Sequence, residues 1–73
     1  MSRSVRTVRI VLNGQELDVV APATVAAAVA VLGLRDRILL AELNGDPVER
    51  TRWSDTSLAD NDRLEVVRVV AGG

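Results

Sequence analysis

Cysteine, histidine and lysine are all missing from this 73-residue chain, and aromatic residues are reduced to the single Trp53. Without Cys or His its own side chains offer no disulfide, no thiolate, none of the usual zinc sites and no imidazole acid or base. Difficult chemistry must therefore borrow groups from a partner. All nine basic residues are Arg, so copies of the chain cannot be linked to one another through Lys. A net charge of -1 and one aromatic residue supply neither the basic excess nor the stacking platforms that nucleic acid needs, so no nucleic-acid partner is expected. Long apolar runs are absent too. After the basic stretch Met1 to Arg9, only Ile10, Val11 and Leu12 follow before Asn13-Gly14 ends the run, so neither a signal peptide nor a membrane span is expected. The cytoplasm is the expected location.

What remains is 48% hydrophobic and 26% charged, enough for one small core and near the lower size at which a core holds without staples. Val8, Ile10 and Leu12 alternate with Thr7, Arg9 and Val11, the period of a half-buried strand. Asn13-Gly14 and a second alternating segment, Gln15 to Val20, predict a hairpin closed by a tight primed turn. Thr24 is placed to cap a helix from Val25 to Leu32 that turns Val25, Ala28, Val29 and Leu32 inward, with Gly33 at its C-terminal stop. Beyond the polar connector Arg35-Asp36-Arg37, a third strand is expected over Ile38 to Leu43, with Leu40 and Glu42 toward solvent, before a second Asn-Gly turn at Asn44-Gly45. A short extended piece at Val48 to Arg50 leads into the polar stretch Trp53 to Asp62, anchored by Trp53 and Leu58. The Val-rich segment Arg63 to Val70 suits a central strand, and Ala71-Gly72-Gly73 has no side chain to hold it down. We see no repeat, linker or second domain, and divide the chain into a domain at 1–70 and a tail at 71–73. This order of elements excludes an all-parallel doubly wound sheet and predicts an α+β fold, a mixed sheet of four to five strands with one main helix across it.

Four pieces resemble the ThiS family of ubiquitin-like sulfur carriers: Ala23-Thr24-Val25, Leu43-Asn44-Gly45, Val48-Glu49-Arg50 with Trp53, and the ending Val69-Val70-Ala71-Gly72-Gly73. Glu49 stands where many relatives have Pro, and Asn61-Asp62 where they have Gly-Asp. The resemblance implies the β-grasp fold, in which the last strand lies beside the first at the centre of the sheet and projects the tail. It also implies a chemistry. A terminal carboxyl is ionised at neutral pH and is a poor acyl electrophile. Attack by the Gly73 carboxylate on the α-phosphate of ATP, in a ThiF-like adenylating enzyme, makes an acyl-adenylate. A persulfide sulfur donor then displaces AMP, leaving a thiocarboxylate that a ThiG-like thiazole synthase receives. ATP belongs to the partner enzyme, and the chain itself binds no cofactor and is not an enzyme. Gly72 suits a tail that must thread a narrow channel, because three residues span roughly 10 Å and lack of Cβ opens backbone conformations closed to other residues.

For docking, the alternation of the last strand turns Leu64 and Val66 inward and Val67 outward, where Val67 with Leu40 makes an apolar patch. Arg68, near the tail, is a candidate contact for an acidic groove on a partner. Two readings stand beside the thiamine carrier: the small subunit of a molybdopterin synthase or a carrier for another sulfur pathway, and, of a different class, a protein modifier or plain binding module.

Overall fold

The computed structural model describes residues 5–33 and 37–68, with Leu39 described through its backbone alone. Five strands, β1 (Thr7–Leu12), β2 (Gln15–Val20), β3 (Ile38–Leu43), β4 (Asp46–Val48) and β5 (Arg63–Arg68), form one sheet in the order β2-β1-β5-β3-β4. The helix α1 (Val25–Val31) lies between β2 and β3 in the chain, and a 3₁₀ helix spans Arg50–Asp55. β5 runs parallel to β1 and antiparallel to β3, so the last strand is central and beside the first. This is the mixed, helix-covered sheet of the β-grasp fold.

Local chemistry explains each element. Asn13 and Gly14 both take positive φ, at 50° and 83°, as a primed two-residue turn requires, and Asn44 and Gly45 repeat this at 53° and 89°. Thr24 is extended and its hydroxyl oxygen accepts from the Ala27 N–H at 3.1 Å, the bond of an N-cap. The core gathers Ile10, Leu12 and Val19 from the hairpin, Val25, Ala28 and Val29 from α1, and Ile38, Ala41, Leu64 and Val66 from the central strands. Trp53 and Leu58 close one end of it. At about 1.5–3 kcal/mol for each fully buried aliphatic side chain, this cluster is what holds the sheet and helix together. No charged or polar residue is buried among the described residues.

Several boundaries differ from the sequence expectation. The helix stops at Val31, and Leu32, half-buried, becomes its C-cap, because Gly33 takes φ 69° one residue later. The fourth strand is Asp46–Val48 rather than Val48 to Arg50, since the tight turn at Asn44-Gly45 pairs Leu43 with Asp46 at once. Arg50 instead opens the 3₁₀ helix. In β3 the register slips between Ile38 and Leu40, which lets Ile38 and Ala41 both reach the core although three residues apart. Arg35, Asp36 and the stretch from Val69 to Gly73 lie outside the described residues.

Candidate functional site

β5 is the last described strand, and the residues expected to form the site, Gly72 and Gly73, follow it in the chain. Its stretch from Arg63 to Val66 is gripped from both neighbours by the two turn asparagines. On one side, Asn13 N–H donates to Leu64 O at 3.0 Å and Asn13 Oδ1 accepts from Val66 N–H at 2.8 Å. On the other, Asn44 N–H donates to Arg63 O at 2.7 Å and Asn44 Oδ1 accepts from Arg63 N–H at 2.9 Å. Asn44 Nδ2 also donates to Asp62 Oδ1 at 3.0 Å, while the other oxygen of Asp62 accepts from Ala59 N–H at 2.8 Å. The approach to β5 is thus a closed network of bonds. In the sequence both asparagines read as turn residues; their hold on β5 exists only once the sheet order brings distant strands together.

Along β5, Leu64 and Val66 are buried and Glu65 and Val67 are exposed. Leu40 and Val67 are register partners and are 40% and 52% exposed, so they form one apolar pair on the open face of the sheet. Beside it, Glu42 faces Glu65 across the same two strands. Like charges directly opposite oppose strand pairing, so this spot is built at some cost to the free domain. Arg68 does not share the patch. One residue beyond Val67, it is the register partner of buried Ile38 and falls on the helix side, where it lines a groove with Leu32 and Val31. The three candidate docking residues therefore divide between opposite faces. Gly72 and Gly73 lie outside the described residues.

Electrostatics concentrate at the hairpin. Arg9 Nε donates to Asp18 Oδ1 at 2.9 Å, Arg9 Nη2 to Asp18 Oδ2 at 3.3 Å, and Arg9 Nη1 lies 3.8 Å from Glu16. The hydrogen bond from Arg9, with its positive charge, holds the Asp18 carboxyl below the usual carboxylate range, and the same pairing raises Arg9. The sequence held this signal: a two-residue turn at Asn13-Gly14 sets Arg9 opposite Asp18. At the other end of the sheet, Trp53 Nε1 donates to Val48 O at 3.0 Å, and the Arg50 guanidinium sits 4.9 Å from the Trp53 ring centroid while donating to Ile38 O. Trp53 is a core cover, fixed by its polar edge. No group of three or more potential metal-ligating side chains occurs among the described residues. No helix among them is long and apolar enough to cross a membrane.

The two departures from the family pattern are conformationally conservative. Glu49 has φ -64°, the value Pro would impose, and Asn61 has φ 73°, the left-handed region that Gly adopts freely.

Comparison with known proteins places these features. The sequence model of the ThiS family matches residues 6–73. The chain is 32% identical over 65 residues to a thiazole synthase of Paramagnetospirillum magneticum, an alignment covering 89% of this chain and 20% of that protein. It therefore spans about a fifth of the length of that curated relative. The crystal structure of the thiamine biosynthesis protein ThiS from Geobacter metallireducens superposes with a TM-score of 0.66 at 26% identity, covering 89% of this chain and 99% of that one.

Proposed function

This chain belongs to the ThiS family, and on that premise we propose that it is a sulfur carrier of thiamine biosynthesis whose working group is the Gly73 carboxylate. The observation that carries the reading is a family match running through residues 6–73, the Gly72-Gly73 ending included. The composition agrees with it, because a chain without Cys or His suits a substrate of enzymes that supply the reactive groups. In the reaction, a Gly73 carboxylate oxygen bonds to the α-phosphorus of ATP and pyrophosphate leaves. The terminal sulfur of a persulfide then attacks the acyl carbon and AMP leaves. A thiol cleaves the resulting acyl disulfide at its S–S bond, freeing the thiocarboxylate and carrying the other sulfur away as a disulfide. Residues 71–73 act as the tail and residues 1–70 as the domain that presents it.

Two partners follow from this chemistry, a ThiF-like adenylating enzyme and a thiazole synthase that accepts the sulfur. The second is supported by the Paramagnetospirillum thiazole synthase, in which a region similar to this chain forms part of a longer protein. Leu40 and Val67, with the Glu42–Glu65 pair beside them, are the surface we assign to the adenylating enzyme, whose matching site is apolar and rimmed by cations. Intact-protein mass spectrometry tests the carrier reading directly, after incubation with ATP, a ThiF-like enzyme, a persulfide source and a thiol. The expected product has one oxygen replaced by sulfur, and fragmentation locates it at Gly73. An unchanged mass, with the same enzyme active on its own carrier, overturns the reading. Deleting Gly73 is expected to abolish the product while the circular dichroism spectrum stays that of the folded domain.

A further inference from the structure

The two edges of the sheet are not equivalent. β4 is three residues long and contains Pro47, which blunts its edge. β2 is six residues long, has neither Pro nor Lys, and pairs through a continuous register with β1 on one side only. The bond from Ala21 N–H to Arg6 O, at 2.8 Å, sets the phase of this ladder. Val8–Val19, Ile10–Leu17 and Leu12–Gln15 are then the hydrogen-bonded pairs, and Arg9–Asp18 and Val11–Glu16 the non-bonded ones. It follows that the backbone N–H and C=O groups of Glu16, Asp18 and Val20 point away from the sheet.

Both flanks of this edge are shaped. On the helix side a groove of about 420 Å³ runs beside Gln15 to Leu17, with Leu12, Leu17 and Leu32 in its lining, Arg68 among its polar residues and Val31, 59% exposed, on its wall. On the open side two carboxylates meet one guanidinium: Asp18 and Glu16 flank the Arg9 side chain, while Asp60 Oδ1 accepts from the backbone N–H of Arg9 at 2.8 Å. That flank attracts a cation. We propose that the β2 edge docks an extended segment of a partner protein, which adds a strand beside Glu16, Asp18 and Val20, places an apolar side chain in the groove and sets Arg or Lys opposite Glu16. A second copy of this chain does not fit the description. The two antiparallel registers in which β2 overlaps most with itself set Asp18 against Asp18, or Glu16 against Asp18, and like carboxylates repel. The inference does not depend on the carrier reading, since it uses neither Gly73 nor the Leu40–Val67 pair.

The test uses the ¹⁵N-labelled protein and a capped peptide alternating Val and Arg, with a Glu-for-Arg peptide as control. Saturable shifts are expected at Glu16 to Val20, Val31 and Leu32, with slowed amide exchange at Glu16, Asp18 and Val20. The Glu peptide should bind about fivefold more weakly, the effect of one exposed ion pair. Glu16→Lys leaves the Arg9–Asp18 bond intact and should abolish or reverse that preference. Shifts confined to other surfaces, no shifts, or equal binding of the two peptides overturn the proposal. So does self-association seen by sedimentation without peptide, together with slow exchange of these amides in the peptide-free protein.

Discussion

Asn13 holds Val66 through its side chain, the Oδ1 accepting from the Val66 N–H at 2.8 Å across 53 residues of sequence. The parallel ladder already runs from Val11 N–H to Asp62 O and from Asn13 N–H to Leu64 O. Its next bond belongs to the Asn13 carbonyl, but φ 50° has turned that backbone into the hairpin, so the side-chain amide oxygen takes its place. One residue thereby ends β1 and extends the hold on β5 past the end of its neighbour.

Two substitutions separate these roles. Asn13→Gly keeps the positive φ and removes only the acceptor, so it should cost about 1–2 kcal/mol, most of it the half-buried Val66 N–H left without a partner. Asn13→Ala adds a left-handed backbone penalty of about 1–2 kcal/mol to that loss. Urea unfolding followed by Trp53 fluorescence reads both. Equal stability of the two variants would show that the turn conformation contributes nothing.

Trp53 is expected to act through its nitrogen as well as its bulk. Trp53→Phe keeps a ring over the core but removes the donor to Val48 O and weakens the contact with Arg50. A loss of about 1–3 kcal/mol is expected, measured by circular dichroism in urea. In a domain whose total stability is on the order of 5–15 kcal/mol, that shift in midpoint is large.

The Arg9–Asp18 pair predicts a pH dependence of definite sign. Because the hydrogen bond from Arg9 lowers the Asp18 carboxyl in the folded state, its contribution is fully present above the ordinary carboxylate range. It is lost as pH falls from that range through the lowered value. Asp18→Asn lacks this contribution throughout, so the stability gap between the native protein and the variant should close on acidification. Paired urea titrations from neutral to acid pH show it; a gap that widens on acidification contradicts the assignment.

Val67→Asp tests the docking surface assigned to the adenylating enzyme. The side chain is exposed, so the fold should survive, while a third carboxylate beside Glu65 and Glu42 replaces an apolar contact. The KM for the carrier in the adenylation reaction should rise roughly five- to thirtyfold, the range of one or two kcal/mol at an interface, with kcat little changed. Arg68→Ala, on the opposite face, should leave that KM unaltered.

Much of this protein is written in short-range pattern. The alternation in Thr7–Leu12 and Gln15–Val20, the Asn-Gly turns, the Thr24 cap and the inward pair Leu64 and Val66 each depend on residues within a few positions of one another, and local sterics and hydrogen bonding decide them. The family resemblance was legible for the same reason, since it sits on contiguous pieces. Tertiary structure alone decided the rest. The slip in β3 that buries both Ile38 and Ala41 arises because the strand must satisfy β5 and the core together. The placement of Arg68 away from Leu40 and Val67 follows from its pairing with buried Ile38. The hold of Asn13 on Val66, the groove beside β2 and the outward carboxylate pair Glu42–Glu65 exist only once distant segments are brought side by side. Residues close in sequence carry their geometry with them, whereas a contact between distant strands is set by a register that no local preference contains.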